Sequence, residues 1–335
     1  MPFRRRCASP DFVGFVIRAT FISHIFSGGI RSPLKSFRQG QAPMSAPTKV
    51  RCREITECDL EGIVSLLTKG FRRDQSRAFW VRAIRTLSEH PTPPGLPRYG
   101  HLLESEGVPV GVLLLIFSAF PDNGITRIRC NVSSWYVEPA FRAYATLLSA
   151  VAARNKDITY VNLTPSPHTW PILEAQGYER FASGVFIAAA ALNRSSLPCR
   201  ILQLNAGSKF HSELTLGEAG LLTNHANYGC LSLVCASGGG THPFVFGLGR
   251  ACGVLPFAYL VYCRDISEFV DFAGPLGRWL ALRGCPLIVL DANGPVRGLI
   301  GRYMDNLPKY FKGQVKPRPG DIAYSERVLF RFWKC

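Results

Sequence analysis

The sequence of 335 residues has no apolar run of the roughly 18 residues that a membrane-spanning helix needs. Its longest apolar stretch, residues 12–26, is interrupted by Arg18 and His24. It has no Cys-x-x-Cys motif, and no Cys/His pair at ligand spacing has a second pair to match it, so a zinc site is not expected. The eleven cysteines are an odd number, and most lie in apolar runs, as in reduced intracellular proteins. We therefore expect a cytoplasmic protein without a metal or a membrane span.

Acidic residues are also scarce, since 23 Asp and Glu face 39 Lys and Arg and give a formal net charge of +16. The excess predicts an acidic partner, such as a nucleotide cofactor, nucleic acid or an anionic surface, and solubility is an equally simple explanation. Nucleic acid is not the expected partner, although the charge leaves tRNA open. Residues 238–240 are three glycines, but they lack the Lys-Ser/Thr of a phosphate loop and indicate a hairpin turn instead.

The chain divides into four parts by composition. Residues 1–43 carry seven basic residues and one acidic residue. They resemble either an Arg-rich targeting peptide or, as we prefer, translated sequence upstream of a start at Met44, and we expect disorder there. A first domain is predicted over residues 50–192, a linker over 193–210 and a second domain over 211–335.

The first domain centres on residues 125–178, which predict a strand, a helix, a second strand and a short helix. Apolar alternation marks a strand over 128–137, which Pro139 ends because proline cannot donate to a ladder. Helical spacing follows, and residues 158–163 form the next strand. Such a unit has parallel strands, and its helix begins beside a strand end, where an anion can bind.

The remaining elements occur in a similar order in both halves. The first half predicts a strand over 50–55, two helices, a hairpin over 99–117 and a final strand over 181–192. In the second half we predict a helix after Thr215, a hairpin over 230–248, a strand over 257–263, a helix from Ser267, a strand over 286–290, a helix from Pro295 and a closing strand over 322–332. The second half lacks only the second helix, which indicates a tandem duplication.

Residues 50–192 resemble the GNAT N-acyltransferase superfamily, in which a strand ending in Val-x-Pro precedes Arg/Gln-x-x-Gly-x-Gly/Ala. Val137, Pro139 and Arg142 match that motif, whereas Ala145 and Leu147 occupy its glycine positions. The later Gly-Phe signature is matched by Gly177 and Tyr178. The resemblance implies an α/β (α+β) fold of two tandem GNAT-like units, each a mixed, mostly antiparallel sheet with one parallel strand pair and flanking helices.

The same resemblance implies acetyl-CoA or another acyl-CoA as co-substrate. Backbone N–H groups of residues 142–146 would face the pyrophosphate, and the pantetheine arm would pair with the strand end. The implied cofactor-binding residues are Tyr136, Val137, Arg142, Ala143, Tyr144, Ala145 and Thr146. Asp265 stands where Pro139 stands in the first unit, and its carboxylate would repel a pyrophosphate, so we expect the second unit to shape the acceptor cleft instead.

The catalytic groups are harder to identify. Acylation of an amine needs a base for the ammonium proton and an acid for the thiolate, and the family's usual tyrosine acid is replaced by Leu173. Glu138 and Tyr136 are the catalytic candidates, with His168 as a third. More simply, Glu138 is a carboxylate in an exposed turn, Tyr136 is a core aromatic and His168 is a residue at a helix start. A covalent route through Cys130 is disfavoured, because that residue lies well before the strand end.

The resulting prediction is an acyltransferase that moves an acyl group from acyl-CoA directly to an amine or hydroxyl, with backbone N–H groups near Val137 stabilising the oxyanion. The acceptor is a small molecule or a peptide that binds between the units. Two alternatives stay open: a non-catalytic acyl-CoA-binding or regulatory protein, and an aminoacyl-tRNA-dependent transferase.

Overall fold

The structure is a computed structural model, and it describes residues 49–72, 75–122, 125–194, 198–204, 214–238 and 240–333. The predicted N-terminal extension, residues 1–43, lies outside the described residues. The predicted linker, residues 193–210, is described in part. It contains a strand, Arg200–Leu204, that pairs with the strand Leu231–Ser237, so this part of the linker prediction is wrong.

The first half of the chain alternates short helices with long strands. Its elements are β1 (Val50–Glu54), α1 (Leu60–Gly70), α2 (Arg77–Glu89), β2 (Gly100–Ser105), β3 (Val108–Asp122), β4 (Ile125–Val137), a 3₁₀ turn (Pro139–Tyr144), α3 (Ala145–Ala152), β5 (Ile158–Asn162), α4 (Trp170–Ala175), β6 (Glu179–Ala182) and β7 (Gly184–Ala188). The order predicted for residues 50–178 is confirmed.

The second half repeats that order with fewer helices. It consists of β8 (Arg200–Leu204), α5 (Leu216–Asn227), β9 (Leu231–Ser237), β10 (Gly240–Ala251), β11 (Leu255–Tyr262), α6 (Ile266–Ala281), β12 (Leu287–Ala292), β13 (Gly301–Met304), β14 (Lys309–Lys312) and α7 (Glu326–Leu329). The helix predicted after Thr215 is confirmed and begins with a capping box, because the Thr215 hydroxyl accepts from the N–H of Glu218 and the Glu218 carboxylate accepts from the N–H of Thr215.

The strands form two seven-stranded sheets of matching order. The first sheet runs β1-β2-β3-β4-β5-β14-β6, and the second runs β8-β9-β10-β11-β12-β7-β13. Each has one parallel pair, β4 with β5 and β11 with β12, at the same position. The predicted mixed sheets with one parallel strand pair are therefore confirmed.

The two units exchange one strand. β7 follows β6 in the chain but lies between β12 and β13, while β14 follows β13 but lies between β5 and β6. A single residue, Ser183, connects β6 to β7. The sequence predicts one continuous strand over 181–192, and that prediction is wrong because the chain passes from one sheet to the other at Ser183. The apolar run continues on both sides of Ser183 and gives no sign that the chain changes sheets there.

Two further predictions in the second half are wrong. The helix predicted from Pro295 is a turn followed by β13, and Gly298 has a left-handed φ of 89° that interrupts helical backbone. The closing strand predicted over 322–332 is instead a bridge at Asp321 followed by the short helix α7. Both errors arise in short apolar segments, where periodicity distinguishes strand from helix poorly.

The hydrophobic core is shared between the units. One cluster of buried apolar residues includes Leu67 and Leu163 of the first unit together with Val234, Val261 and Trp333 of the second. A buried ion pair crosses the same boundary, because Lys309 Nζ of β14 lies 2.5 Å from Asp291 Oδ1 of β12 and the residues are 0 % and 1 % exposed. The exchanged strand β14 thus carries a charge into the first sheet, and Asp291 of the second sheet compensates it across the boundary.

Candidate functional site

The parallel strands β4 and β5 separate before β4 ends. Their pairing covers Ile128 with Ile158 through Asn131 with Val161 and then stops. Asn131 lies at the point of separation, where its amide Nδ2 donates to Val132 O over 3.0 Å and its Oδ1 accepts from a backbone N–H of the C-terminal segment. Within the described ranges, the last six residues of β4 consequently have β3 as their only neighbouring strand.

A bulge bends β4 immediately after the separation. Val112 of β3 pairs with Tyr136 and Leu114 pairs with Ser133, so Ser134 and Trp135 together face a single residue of β3. Ser134 has a left-handed φ of 53°. A bulge leaves its extra residue outside the ladder and turns it toward a neighbouring space, and here that space is the gap between β4 and β5.

A cavity of about 500 Å³ occupies the gap. The residues that line it are Phe71, Gln75, Phe79, Trp80, Val132, Ser133, Ser134, Trp135, Asn162, Thr164, Pro165, Ser166, Thr169, Leu307, Glu326, Phe330 and Phe332. The indole N–H groups of Trp80 and Trp135 are buried, and neither has a hydrogen-bond partner within the described chain. Buried donors normally have partners, so these two unpaired N–H groups are an unusual feature of side chains that line the cavity.

Glu326 places a carboxylate in this cavity, although α7 is far from β4 in sequence. Its two oxygens accept hydrogen bonds from the hydroxyls of Ser133 on β4 and Thr164 after β5. The backbone N–H of Glu326 donates to Asn131 Oδ1 over 2.8 Å. The carboxylate therefore bridges the two strands at the point where they part.

Burial raises the pKa of Glu326, and the hydrogen bonds from Ser133 and Thr164 lower it only partly. The residue is 5 % exposed. A carboxylate whose pKa is raised accepts a proton more readily than an ordinary carboxylate does, which suits a general base. We did not identify Glu326 from the sequence; the available signal was a polar triplet, Ser325 to Arg327, inside an apolar run.

The free edge of β4 is open in the first unit. Among the residues that the structure describes, no backbone hydrogen bond from outside the sheet reaches residues 133–137. Glu138, the next residue, donates its N–H to Val110 O over 2.9 Å and so returns to β3. An extended ligand could pair with this edge as an added strand.

The corresponding edge of β11 is closed. The pairing of β11 with β12 ends at Tyr259 with Val289, and a bulge follows, because Val245 pairs with Tyr262 and Phe246 with Leu260. The chain itself then pairs with the free edge. Val261 O accepts from Ile322 N–H and Cys263 N–H donates to Gly320 O, each over 2.9 Å.

The predicted catalytic pair lies beside the cavity and outside its lining. Tyr136 packs on α1, since a Cβ at Gly70 would lie 2.5 Å from its ring, and its ring centroid is 6.4 Å from that of Phe71. Glu138 accepts from Lys69 Nζ over 2.6 Å, and the Lys69 side chain is 60 % exposed. An exposed ion pair of this kind gives Glu138 a structural explanation.

The predicted cofactor-binding residues follow the end of β4. Val137 is buried and pairs with Gly111, whereas Arg142, Ala143 and Thr146 are exposed and Tyr144 and Ala145 are half-buried. The helical segment begins at Pro139, earlier than the phosphate cradle predicted over 142–146, and the N–H of Ala145 already donates to Arg142 O. The exposed side chains of Arg142 and Thr146 are the groups that remain available to a phosphate.

The other candidates are accounted for by their surroundings. Leu173, at the position of the family's tyrosine, is 2 % exposed and packs in the core. His168 is exposed in the turn before α4. Cys130 is fully buried, and burial raises the pKa of its thiol well above the usual range, which makes it a poor nucleophile.

The described part of the chain has neither a metal-binding cluster nor a membrane-spanning helix. No group of three His, Cys, Asp or Glu side chains could hold a metal ion there. No helix among the same residues combines the length and the apolar character required to cross a membrane.

Comparisons with known proteins support the architecture. No protein-family model matches the sequence, and no curated protein matches it. A Pyrococcus horikoshii protein assigned as an acetyltransferase shares 13 % identity, with 86 % of this chain and 97 % of that chain covered at a TM-score of 0.50. A GCN5-related N-acetyltransferase from Anabaena variabilis shares 11 % identity, with 79 % of this chain and 72 % of that chain covered at a TM-score of 0.53. A GCN5-related N-acetyltransferase from Kribbella flavida shares 15 % identity, with 79 % of this chain and 71 % of that chain covered at a TM-score of 0.50. The chain therefore has the fold of the GCN5-related N-acetyltransferase (GNAT) superfamily, arranged as two tandem units.

Proposed function

We propose that the protein is an acyl-CoA-dependent acyltransferase whose reaction takes place in the cavity between β4 and β5. The observation that carries this proposal is the open edge of residues 133–137, which contains a bulge at Ser134 and Trp135 and borders a cavity of about 500 Å³. The matching edge of β11 is closed by the chain. The first unit is thus the one that binds the acyl donor.

The acyl donor would lie along β4. Its pantetheine amides pair with the free edge near Tyr136 and Val137, and its phosphates reach Arg142, Ala143 and Thr146 beyond the strand end. The site meets a simple test of fit, because the open edge of residues 133–137 can pair with an extended amide chain and the cavity of about 500 Å³ lies beside it. Backbone N–H groups at the bulge stabilise the oxyanion.

Glu326 is the base in this proposal. It takes one proton from the attacking ammonium, the nitrogen forms its bond to the acyl carbon as the C–S bond breaks, and the second proton that the nitrogen loses passes to the sulfur, which leaves as the thiol. Ser133 and Thr164 orient the carboxylate, and both bonds come from strands that also border the donor. Glu138 and Tyr136, the catalytic candidates predicted from the sequence, stay predictions and are the alternative to Glu326.

The acceptor enters between the units. Phe71 and Phe79 of the first unit and Leu307, Phe330 and Phe332 of the second line the same cavity. An acceptor amine with an apolar portion suits these walls, and the class is a small molecule or a peptide end.

Hydrogen exchange on the complete protein tests the site with an internal control. Addition of CoA should slow exchange of the amides in residues 133–137. The matched edge, residues 261–263, already exchanges slowly because the chain covers it, and its rate should not change. One bound CoA per chain is expected by calorimetry.

Slower exchange at both edges, or two equivalent CoA molecules per chain, would contradict the assignment to the first unit. An unchanged rate over residues 133–137 with saturating CoA would remove the proposal altogether. Transfer from acetyl-CoA to a panel of amines then establishes catalysis separately from binding.

A non-catalytic acyl-CoA-binding role is the second candidate, and Leu173 favours it. This side chain is buried in the core at the position where the family's acid would stand. Protection of β4 by CoA without turnover of any amine would support that role.

A further inference from the structure

A serine, a histidine and a glutamate form a hydrogen-bonded relay in the second unit, away from the cavity. Ser237 is the last residue of β9, His242 lies near the start of β10 and Glu268 lies in the first turn of α6. His242 Nδ1 is 2.5 Å from Glu268 Oε1, and His242 Nε2 is 3.4 Å from Ser237 Oγ. The imidazole therefore stands between a nucleophile and a carboxylate.

The hairpin register places these side chains together. Ser237 pairs with Gly240 and Cys235 with His242, so Ser237 and His242 are diagonal neighbours on one face of the sheet. Helix α6 covers that face and brings Glu268 to the imidazole. The ring of His242 packs on Phe272 with a centroid separation of 4.5 Å, which fixes its orientation.

The charges around Glu268 determine which nitrogen carries the proton. Arg264 Nη1 lies 3.7 Å from Glu268 Oε1 while its Nε binds Glu218 over 2.5 Å. The Glu268 carboxylate lies between the guanidinium and the imidazole and accepts the Nδ1–H of His242. The lone pair of Nε2 then faces the hydroxyl of Ser237, and this is the arrangement by which a base activates a nucleophile.

The nucleophile is accessible at the tip of the hairpin. Ser237 is half-buried, and Gly238 beside it is exposed. A Cβ built at Gly238 meets no atom within 4 Å. Ser237 thus lies at the solvent-facing end of the hairpin.

We propose that Ser237 is an activated nucleophile, prepared by His242 and Glu268, that attacks small activated carboxylic esters. This activity is separate from the proposed acyl-CoA site. Ser237 Oγ forms a bond to the acyl carbon and gives its proton to His242, and the alcohol leaves with that proton. Water then hydrolyses the acyl-serine, again through His242, to release the acid.

A fluorophosphonate probe on the full-length protein tests the relay, because the Ser237 oxygen forms a bond to phosphorus as fluoride leaves. Peptide mass spectrometry should place the label on Ser237. Ser237→Ala should abolish it, and Glu268→Gln and His242→Ala should slow it by roughly 10²-fold or more. Added imidazole should restore labelling of the His242→Ala variant, a result that loss of fold cannot produce.

Ser267→Ala is the matched control, because the Ser267 hydroxyl bonds Asp265 Oδ1 over 2.6 Å rather than an imidazole. Its labelling rate should equal that of the wild-type protein. Wild-type protein that leaves Ser237 unlabelled, or His242→Ala that labels at the wild-type rate or is not rescued by imidazole, would overturn the proposal.

Discussion

The ends of β4 and β11 are built alike and used differently. Each strand loses its parallel neighbour, each carries a bulge just beyond that point, and each therefore has a free edge inside the molecule. At β11 that edge is covered by residues 320–322 of the same chain, whereas at β4 it borders a cavity. A duplicated fold supplies two equivalent openings, and the C-terminal segment determines which one a ligand can use.

The C-terminal segment acts on both openings within a few residues. Residues 320–322 close the second, and Asp321 also binds Arg129 of β4 over 2.9 Å. Glu326 then contributes its carboxylate to the first. The C-terminal segment therefore covers the free edge of β11 in the second unit and adds a carboxylate to the proposed site beside β4 in the first.

Replacement of Glu326, the proposed base, is the strongest test of the difference between the opening beside β4 and the closed edge of β11. Glu326→Gln should lower kcat/KM for acyl transfer by about 10²–10⁴-fold, since the variant cannot take the proton. Binding of CoA should stay close to wild type. The wild-type rate should rise with pH as Glu326 loses its proton through its raised pKa, and this limb of the profile should disappear in the variant.

Glu138→Gln is the control for that experiment. Glu138 lies in an exposed pair with Lys69, so its replacement should leave the rate nearly unchanged. Loss of activity in Glu138→Gln with retention in Glu326→Gln would instead favour the base predicted from the sequence.

The buried ion pair between Lys309 and Asp291 joins the exchanged strand β14 to β12 of the other sheet. Its contribution to the free energy of unfolding can be measured by replacing Lys309. Lys309→Met leaves Asp291 as an uncompensated buried charge and should lower the free energy of unfolding by about 3–5 kcal/mol. Lys312→Met, on the same strand at a half-buried position, should cost about 1 kcal/mol or less. Denaturant unfolding measures both, and equal losses would show that the buried pair has no special role.

The sequence predicts the local elements of this arrangement better than their long-range partners. Periodicity and caps locate β4, β5, the hairpins and the tandem repeat, because these depend on neighbouring residues. The exchange of β7 and β14 and the role of Glu326 depend on contacts such as that of Glu326 with Asn131, 195 positions apart. A buried carboxylate has no periodic signal, and its partners become visible only in the folded chain.

The closed edge of β11 can be loosened at Gly320. This residue has a φ of 79°, and an added Cβ would lie 2.7 Å from Cys263 Sγ. Gly320→Ala should therefore destabilise the protein by about 1–2 kcal/mol and speed amide exchange at Cys263. Gly220→Ala, in α5 with open space around it, should instead stabilise by roughly 0.5–1 kcal/mol. Unchanged exchange at Cys263 in the Gly320 variant would show that the edge is held by other contacts.

The smallest expected effect concerns the helix that follows each opening. Asp265 caps α6 by accepting from Ser267 N–H over 2.7 Å, whereas Glu138 makes no side-chain cap in the first unit. Hydrogen bonds from Ser267 lower the pKa of Asp265, so its contribution is present above its unfolded pKa and is lost as the pH falls through the folded value. Asp265→Ala should cost about 1 kcal/mol at neutral pH, and the difference from wild type should shrink below pH of about 4. Asp271→Ala, exposed on the same helix, should change stability by less than about 0.5 kcal/mol at any pH; a loss equal to that of Asp265→Ala would show that the cap adds nothing beyond general helix charge.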